Sequence, residues 1–328
     1  MIYGKKEAII LIYKILSEYT DENHYLKQSE IIEKLHFLYG VDIERKAVSN
    51  SINILQELDY DIVKGPKGGY ALYSRVLDET EVKFINDAIF SSRTITGKNA
   101  IELSEKVSSV LSKYQRRKYT YLYKSSEINR TTNKDLFLNI ELIQEAIERN
   151  KKISFQYLTF DEDGNKTTRF NGFRFFVSPY FLVNNFGKYY LLGHYRDKYK
   201  PIQNYKLDYL IDLKIEEEPL KPMKEVKGLE KLDIAEYINE HIYLFSSEVV
   251  EAKILIEQPF ALQYVYEYFG DNVKVRKENN QLYVRVKSSA DALYYWILQY
   301  GEYFKVIEPT ELIERIQKYS KIIEEKYK

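Results

Sequence analysis

The stretch from Val177 to Ile211, VSPYFLVNNFGKYYLLGHYRDKYKPIQNYKLDYLI, constrains the fold more than any other part of this chain. Apolar runs of strand length are separated by Asn-Phe-Gly and Asp-Lys turn signals, and aromatic and basic residues alternate within the runs. Short apolar runs bounded by turn residues read as β-strands. By itself the series is compatible with many small antiparallel barrels.

The 328 residues predict two or three domains. With 45% hydrophobic and 30% charged residues, the composition is globular. There is no cysteine, which excludes disulfides, thiolate metal sites and cysteine nucleophiles and fits a reducing cytoplasm. No apolar run approaches a membrane span. The short run Ala8–Ile12, flanked by Lys5, Lys6, Glu7 and Lys14, reads as part of a buried amphipathic helix rather than a leader. Net charge is zero overall but unevenly spread. The segment 98–134 holds nine Lys and Arg against three Glu, about +6, whereas the first 75 residues are at about −1.

Apolar spacing predicts helices over 5–19, 29–39 and 45–58, with Gly40 as a stop for the second. A hairpin follows, Asp61–Lys64 and Tyr70–Tyr73 around Gly65-Pro66-Lys67-Gly68-Gly69. Three helices and a hairpin in about 75 residues predict a winged helix-turn-helix. Helices are expected over 81–91 and 99–117, with 125–134 as a linker, then a helix over 136–150 and strands from 153 to 215. The charged segment 216–231, with Pro219 and Pro222, reads as a second linker. Beyond it, a βαββα order ending in a helix over 311–327 predicts a small α+β domain.

If Val48, Ile52 and Leu55 face inward, then Lys46, Ser49, Asn50, Asn53 and Glu57 share the outer face of the third helix. Lysine reaches phosphates or guanine edges and asparagine pairs with adenine, so the face suits a DNA major groove. Lys64 and Lys67 on the hairpin would hold flanking phosphates, with Arg45 at the helix start. The competing reading is a solvated polar face, and the net acidity of this segment counts against DNA.

The segment RKAVSNSINILQELDYDIVKGPKGGYALYS resembles the recognition helix and wing of bacterial DeoR-like regulators that carry a WYL domain. Residues 177–211 resemble the WYL domain itself, an Sm-like β-barrel in that family. Tyr189-Tyr190-Leu191 stands for Trp-Tyr-Leu, and Tyr205-Lys206-Leu207-Asp208-Tyr209-Leu210 for Phe-Arg-Leu-Asp-Arg-Ile. Lys206 and Tyr209 thus replace two arginines of the family pattern. Tyr295-Trp296-Ile297-Leu298-Gln299-Tyr300-Gly301 resembles the extension that follows WYL domains and helps dimerisation. The resemblance implies a pocket for nucleic acid or nucleotides. Candidates are Lys188, Tyr190, Lys206 and Tyr209 on the strands, with Arg169, Arg174, His194 and Arg196 nearby.

An enzyme is not expected. The four histidines, His24, His36, His194 and His241, have no metal-ligand spacing, and no Gly-x-Ser-x-Gly elbow is present. No cofactor is expected. The reading is a multidomain α+β protein. It comprises a winged helix-turn-helix (1–77), a helical linker (78–134), an Sm-like or SH3-like WYL sensor β-barrel (135–220) and a C-terminal dimerisation domain (221–328). The function it implies is a cytoplasmic homodimeric repressor that binds a double-stranded DNA operator and responds to a nucleic-acid or nucleotide effector. The alternative is a nucleic-acid or nucleotide sensor that acts on a partner protein without operator binding.

Overall fold

The computed structural model describes residues 7–65, 68–118, 130–131 and 133–328. The chain is a mixed α+β protein of two compact units, Met1–Lys134 and Asp135–Lys328.

In the first unit, α1 (Ala8–Tyr19), α2 (Gln28–Tyr39) and α3 (Arg45–Glu57) bury Leu11, Ile12, Ile15, Ile31, Leu35, Val48 and Ile52 against one another. These residues recur three and four apart, so each helix turns one stripe inward. Gly40 ends α2 at φ +66°, a left-handed cap that costs glycine nothing. β1 (Ile62–Lys64) and β2 (Tyr70–Leu72) pair antiparallel. Gly65 passes under Tyr25 so closely that a Cβ there would lie 2.5 Å from the ring, which explains a glycine at the start of this turn. The Thr20 hydroxyl ties α1 to the hairpin: it donates to the Leu16 carbonyl and accepts from the Leu72 N–H at 2.9 Å.

The helix expected over 99–117 is divided. After α4 (Glu79–Ser91), α5 (Gly97–Ser108) stops and α6 (Lys113–Arg116) starts afresh. Ser112 causes the break. It caps α6 in a reciprocal box with Gln115, and its hydroxyl donates to the buried Asp21 carboxylate at 2.6 Å. Arg75 adds three bonds, to the carbonyls of Ser17, Thr20 and Val110 at 3.0, 2.6 and 2.9 Å. The described residues of 78–134 are therefore packed structure, with Asn86 and Ser108 bonded to each other in the interior.

The second unit opens with α7 (Leu136–Glu148), followed by β3 (Lys151–Phe160), β4 (Lys166–Thr168), β5 (Arg174–Asn185), β6 (Lys188–His194), β7 (Gln203–Lys206) and β8 (Leu210–Pro219). The strands form one antiparallel sheet in the order β8-β3-β5-β6-β7, and the outer end of β3 also pairs β4. The barrel expected from the sequence is an open ladder among the described residues. β7 is only four residues long, and a 3₁₀ turn at Leu207–Tyr209, not a ladder, carries the chain from β7 to β8.

The expected linker over 216–231 is also corrected. Glu216–Pro219 complete β8, where Lys151 and Lys152 face Glu217 and Glu218. Val226 and Leu229 are then buried with Tyr180, Tyr190 and Leu192 on the sheet. Their apolar side chains anchor a stretch whose charged neighbours disguise it. After α8 (Ile234–Glu240) come β9 (Val249–Ile256), α9 (Leu262–Phe269), β10 (Lys274–Glu278), β11 (Gln281–Ser289), α10 (Ala290–Tyr300), β12 (Phe304–Glu308) and α11 (Thr310–Lys326). The second sheet runs β10-β11-β9-β12, all antiparallel, around a core centred on fully buried Trp296.

Candidate functional site

The β5–β6 connection is a two-residue hairpin with Phe186 at φ +47° and Gly187 at φ +73°. Positive φ at both central residues matches the right-handed twist of the strands. The turn sets the register: Lys188 opens β6 opposite Asn185, and Tyr190 lies opposite Lys206 of β7. By the two-residue period, Lys188 and Tyr190 share a face, as do Asn204 and Lys206 on the neighbouring strand. The 3₁₀ turn then folds Tyr209 back to 5.6 Å from the Tyr157 ring. Together these residues line one side of a cavity of about 430 Å³. Its other side is Tyr243, Leu244 and Phe245, from the segment that leads into β9.

Neither Lys188 nor Lys206 has a salt-bridge partner among the described residues, whereas Lys151, Lys152, Lys214, Lys221 and Arg174 on the same sheet or its flank all do. Lys206 lies 5.9 Å from the Tyr209 ring centre. Burial, and then the charge of Lys188, holds its ammonium below the ordinary lysine value. Burial pushes the Asp208 carboxyl up to about 6 against the pull of both lysines. Burial also pushes Tyr157 up to about 12 and raises Tyr190, the latter helped by Asp208. A half-buried cation beside a second, exposed one, walled by aromatic rings, suits an anionic ligand with a planar group.

Of the eight residues proposed from sequence, Lys188, Tyr190, Lys206 and Tyr209 line this cavity. Arg169 is exposed, with its N–H on the Tyr157 carbonyl at 2.7 Å and its guanidinium 5.2 Å from the Phe170 ring. Arg174 is placed elsewhere: it donates to the Ser154 hydroxyl at 2.8 Å and to the Asp212 carbonyl at 3.0 Å, and ion-pairs with the Asp212 carboxylate. His194 is buried, with Nδ1 2.9 Å from the Pro201 carbonyl and Nε2 3.2 Å from Asp197. Arg196 is exposed over the Tyr195 ring at 4.7 Å. Arg174, His194 and Arg196 therefore do not line the cavity. The sequence reading missed Tyr157, Asn185, Phe186, Asn204 and the 243–245 wall. Asn185 and Phe186 carry only a turn signal. Tyr243 and Phe245 lie far along the chain, and the one clue to them is the aromatic density of His241–Phe245. A somewhat larger cavity, about 480 Å³ between α10, β12 and α11, is lined mainly by apolar residues with Lys305 as its one cation.

On α3, Arg45, Lys46, Asn50 and Asn53 are exposed, as is Lys64 on β1. Ser49 is half-buried and accepts a hydrogen bond from Gln28 at 2.6 Å, which fixes the start of α2 against α3. Lys67 lies outside the described residues.

Residues 139–215 match the WYL domain and residues 248–321 match the WCX domain. The two matches follow one another within the second unit. Among solved structures it is similar to proteasome accessory factor B/C (PafBC) of Arthrobacter aurescens, at 13% identity and a TM-score of 0.31 over 97% of this chain and 48% of that one. It is also similar to a CRISPR Cas-related protein, at 15% identity and a TM-score of 0.40 over 98% of this chain and 84% of that one. The chain spans about half the length of the first. No curated protein matches it. Among the described residues, no helix is long and apolar enough to cross a membrane.

Proposed function

We propose that this chain is a DNA-binding transcriptional regulator of the DeoR-like WYL type. In this reading α1–α3 and the β1–β2 hairpin act as a winged helix-turn-helix, and the six-stranded sheet is an Sm-like sensor for a nucleotide or nucleic-acid effector. The observation that carries the reading is the pair of lysines, Lys188 and Lys206, without salt-bridge partners among the described residues, at an aromatic cavity of about 430 Å³. Phosphate supplies the charge the lysines lack, and a base has a face for the rings to stack on. The reading includes a homodimer whose two α3 helices address half-sites one DNA turn apart or a multiple of it, repression released by the effector, and no catalytic activity. Release requires the effector to bind one arrangement of the DNA-reading segments better than the other.

The test is selection of genomic fragments by the purified chain, followed by binding to the recovered duplex. Asn50→Ala with Asn53→Ala is expected to remove the preference for that duplex over random DNA, since each lost base contact costs about 1–3 kcal/mol. Recovery of no fragment that competes better than random DNA rejects the operator. One observation favours a second reading, a sensor acting through a partner protein. Ile54 on α3, Leu58 at its end and Phe37 on α2 expose apolar surface, Phe37 to 85%. In that case the same variants leave duplex binding unchanged and Phe37→Asp abolishes partner capture.

A further inference from the structure

One wall of the cavity, Tyr243–Phe245, belongs to a strap, residues 241–247, that leads from α8 into the second sheet. Two strand side chains and one from the β6–β7 connection hold the strap by its carbonyls. Asn185 Nδ2 donates to Ile242 at 2.9 Å, Asn204 Nδ2 donates to Leu244 at 2.8 Å, and Lys200 donates to Ser246. Two of these donors, Asn185 and Asn204, line the cavity. Leu244 sits at φ +50°, in the left-handed region that is strained for a leucine. Such a conformation persists only where its surroundings enforce it, and here the Asn204 bond falls on the strained residue itself. The far end of the strap is tied just as firmly. The Ser247 hydroxyl accepts from the Asp291 N–H at 2.9 Å and the Glu248 carbonyl from Ala290 at 2.8 Å, which closes the first turn of α10. Phe245 also meets Tyr295 of α10 at 5.4 Å.

We propose that the strap is both a wall of the effector site and the relay that carries its occupancy to the WCX domain. This rests on the reading of the cavity as a nucleotide or nucleic-acid site. A ligand whose anionic group sits on Lys188 and Lys206 places its planar group against Tyr243 and Phe245. It thereby adds contacts to a strap whose strained Leu244 is held by the Asn204 bond, by its N–H on the His241 carbonyl and by burial. The strap tightens, and because Ser247 and Glu248 cap α10, the first turn of α10 tightens with it. α10 carries Trp296, the centre of the second core, so the WCX domain registers an event in the WYL sheet. Coupling of this kind is reciprocal: a partner that orders α10 also raises effector affinity.

The test uses the full chain and the 5′-phosphorylated tetranucleotide d(pA)₄ as probe, with binding read by calorimetry and ordering by amide hydrogen exchange. The probe is expected to slow exchange at 242–247 and at 290–293 by about fivefold or more. Ser247→Ala is expected to bind the probe within about twofold of the native chain and to keep the response at 242–246. It is expected to lose the response at 290–293, and Ser247→Thr, which retains the acceptor hydroxyl, should restore it. Binding without any change at 242–247 or 290–293 overturns the relay and leaves the site standing. A full α10 response in Ser247→Ala also overturns it. No binding to the native chain removes the site reading, and the relay with it.

Discussion

Two regions of the WYL sheet each carry a partly buried cation, and they have opposite fates. Around Arg174 every charge is spent internally: the guanidinium spans Ser154 and Asp212, and Lys214 lies 3.5 Å from the same aspartate. Around Lys206 two ammonium groups share one neighbourhood, and the nearby acid, Asp208, is held up to about 6 by burial. The first arrangement closes the fold, because Asp212 sits at φ +50° in β8 and Arg174 grips its backbone as well as its carboxylate. The second leaves positive charge facing a cavity. Basic character in a strand therefore does not identify a ligand contact; what distinguishes the two regions is whether the protein has already supplied the counter-charge.

The sharpest way to break this comparison is to neutralise both cavity lysines. Lys188→Gln with Lys206→Gln is expected to weaken binding of d(pA)₄ by about 100-fold or more, as two charge-assisted contacts are lost. The melting temperature should stay close to native. Calorimetry and thermal melting on the same protein read both quantities, and undiminished binding would erase the distinction. Arg174→Ala should do the reverse. It strips one partner from each of Ser154 and Asp212 and is expected to cost about 1–2 kcal/mol in denaturant unfolding, with binding changed only slightly.

Asp208 offers a third handle, through pH. Its folded-state value is raised from the ordinary 3.8 to about 6, so the folded chain holds this proton more tightly than the unfolded one. That difference favours the fold below the ordinary value and is lost as pH rises through about 6. Asp208→Asn should therefore raise the melting temperature at pH 8 and have almost no effect at pH 4. An equal shift at both pH values would deny the burial effect.

The smallest effect concerns Phe186. Replacing it with Asn puts a residue suited to left-handed backbone before Gly187 and is expected to stabilise the chain by about 0.5–1 kcal/mol. The same change removes the ring that lies 6.5 Å from Tyr243, and the probe should bind severalfold more weakly. If stability and binding move together, the strained phenylalanine is not there for the site.

Local pattern made much of the architecture legible. The helix expected over 45–58 runs from Arg45 to Glu57 in the structure, and the stop at Gly40 is a left-handed cap. Where the reading departed from the structure, a distant partner decided. Ser112 starts a separate helix, with its hydroxyl on the buried Asp21 carboxylate, beyond the end of α5 at Ser108. Val226 and Leu229 turn a charged linker into packed chain because Tyr180 and Leu192 offer a surface.

The sequence by itself determined which stretches are helix or strand. Side-chain periodicity and turn chemistry act within a few residues and need no partner. It also put Lys188, Tyr190 and Lys206 on strands, whereas Tyr209, expected on a strand as well, sits in the 3₁₀ turn after β7. Only the tertiary structure decided which cations are free to meet a ligand. That depends on counter-charges, such as Asp212 for Arg174, brought from other strands. It depends equally on a wall, Tyr243–Phe245, that arrives from about 40 residues beyond Lys206 and that no local pattern encodes.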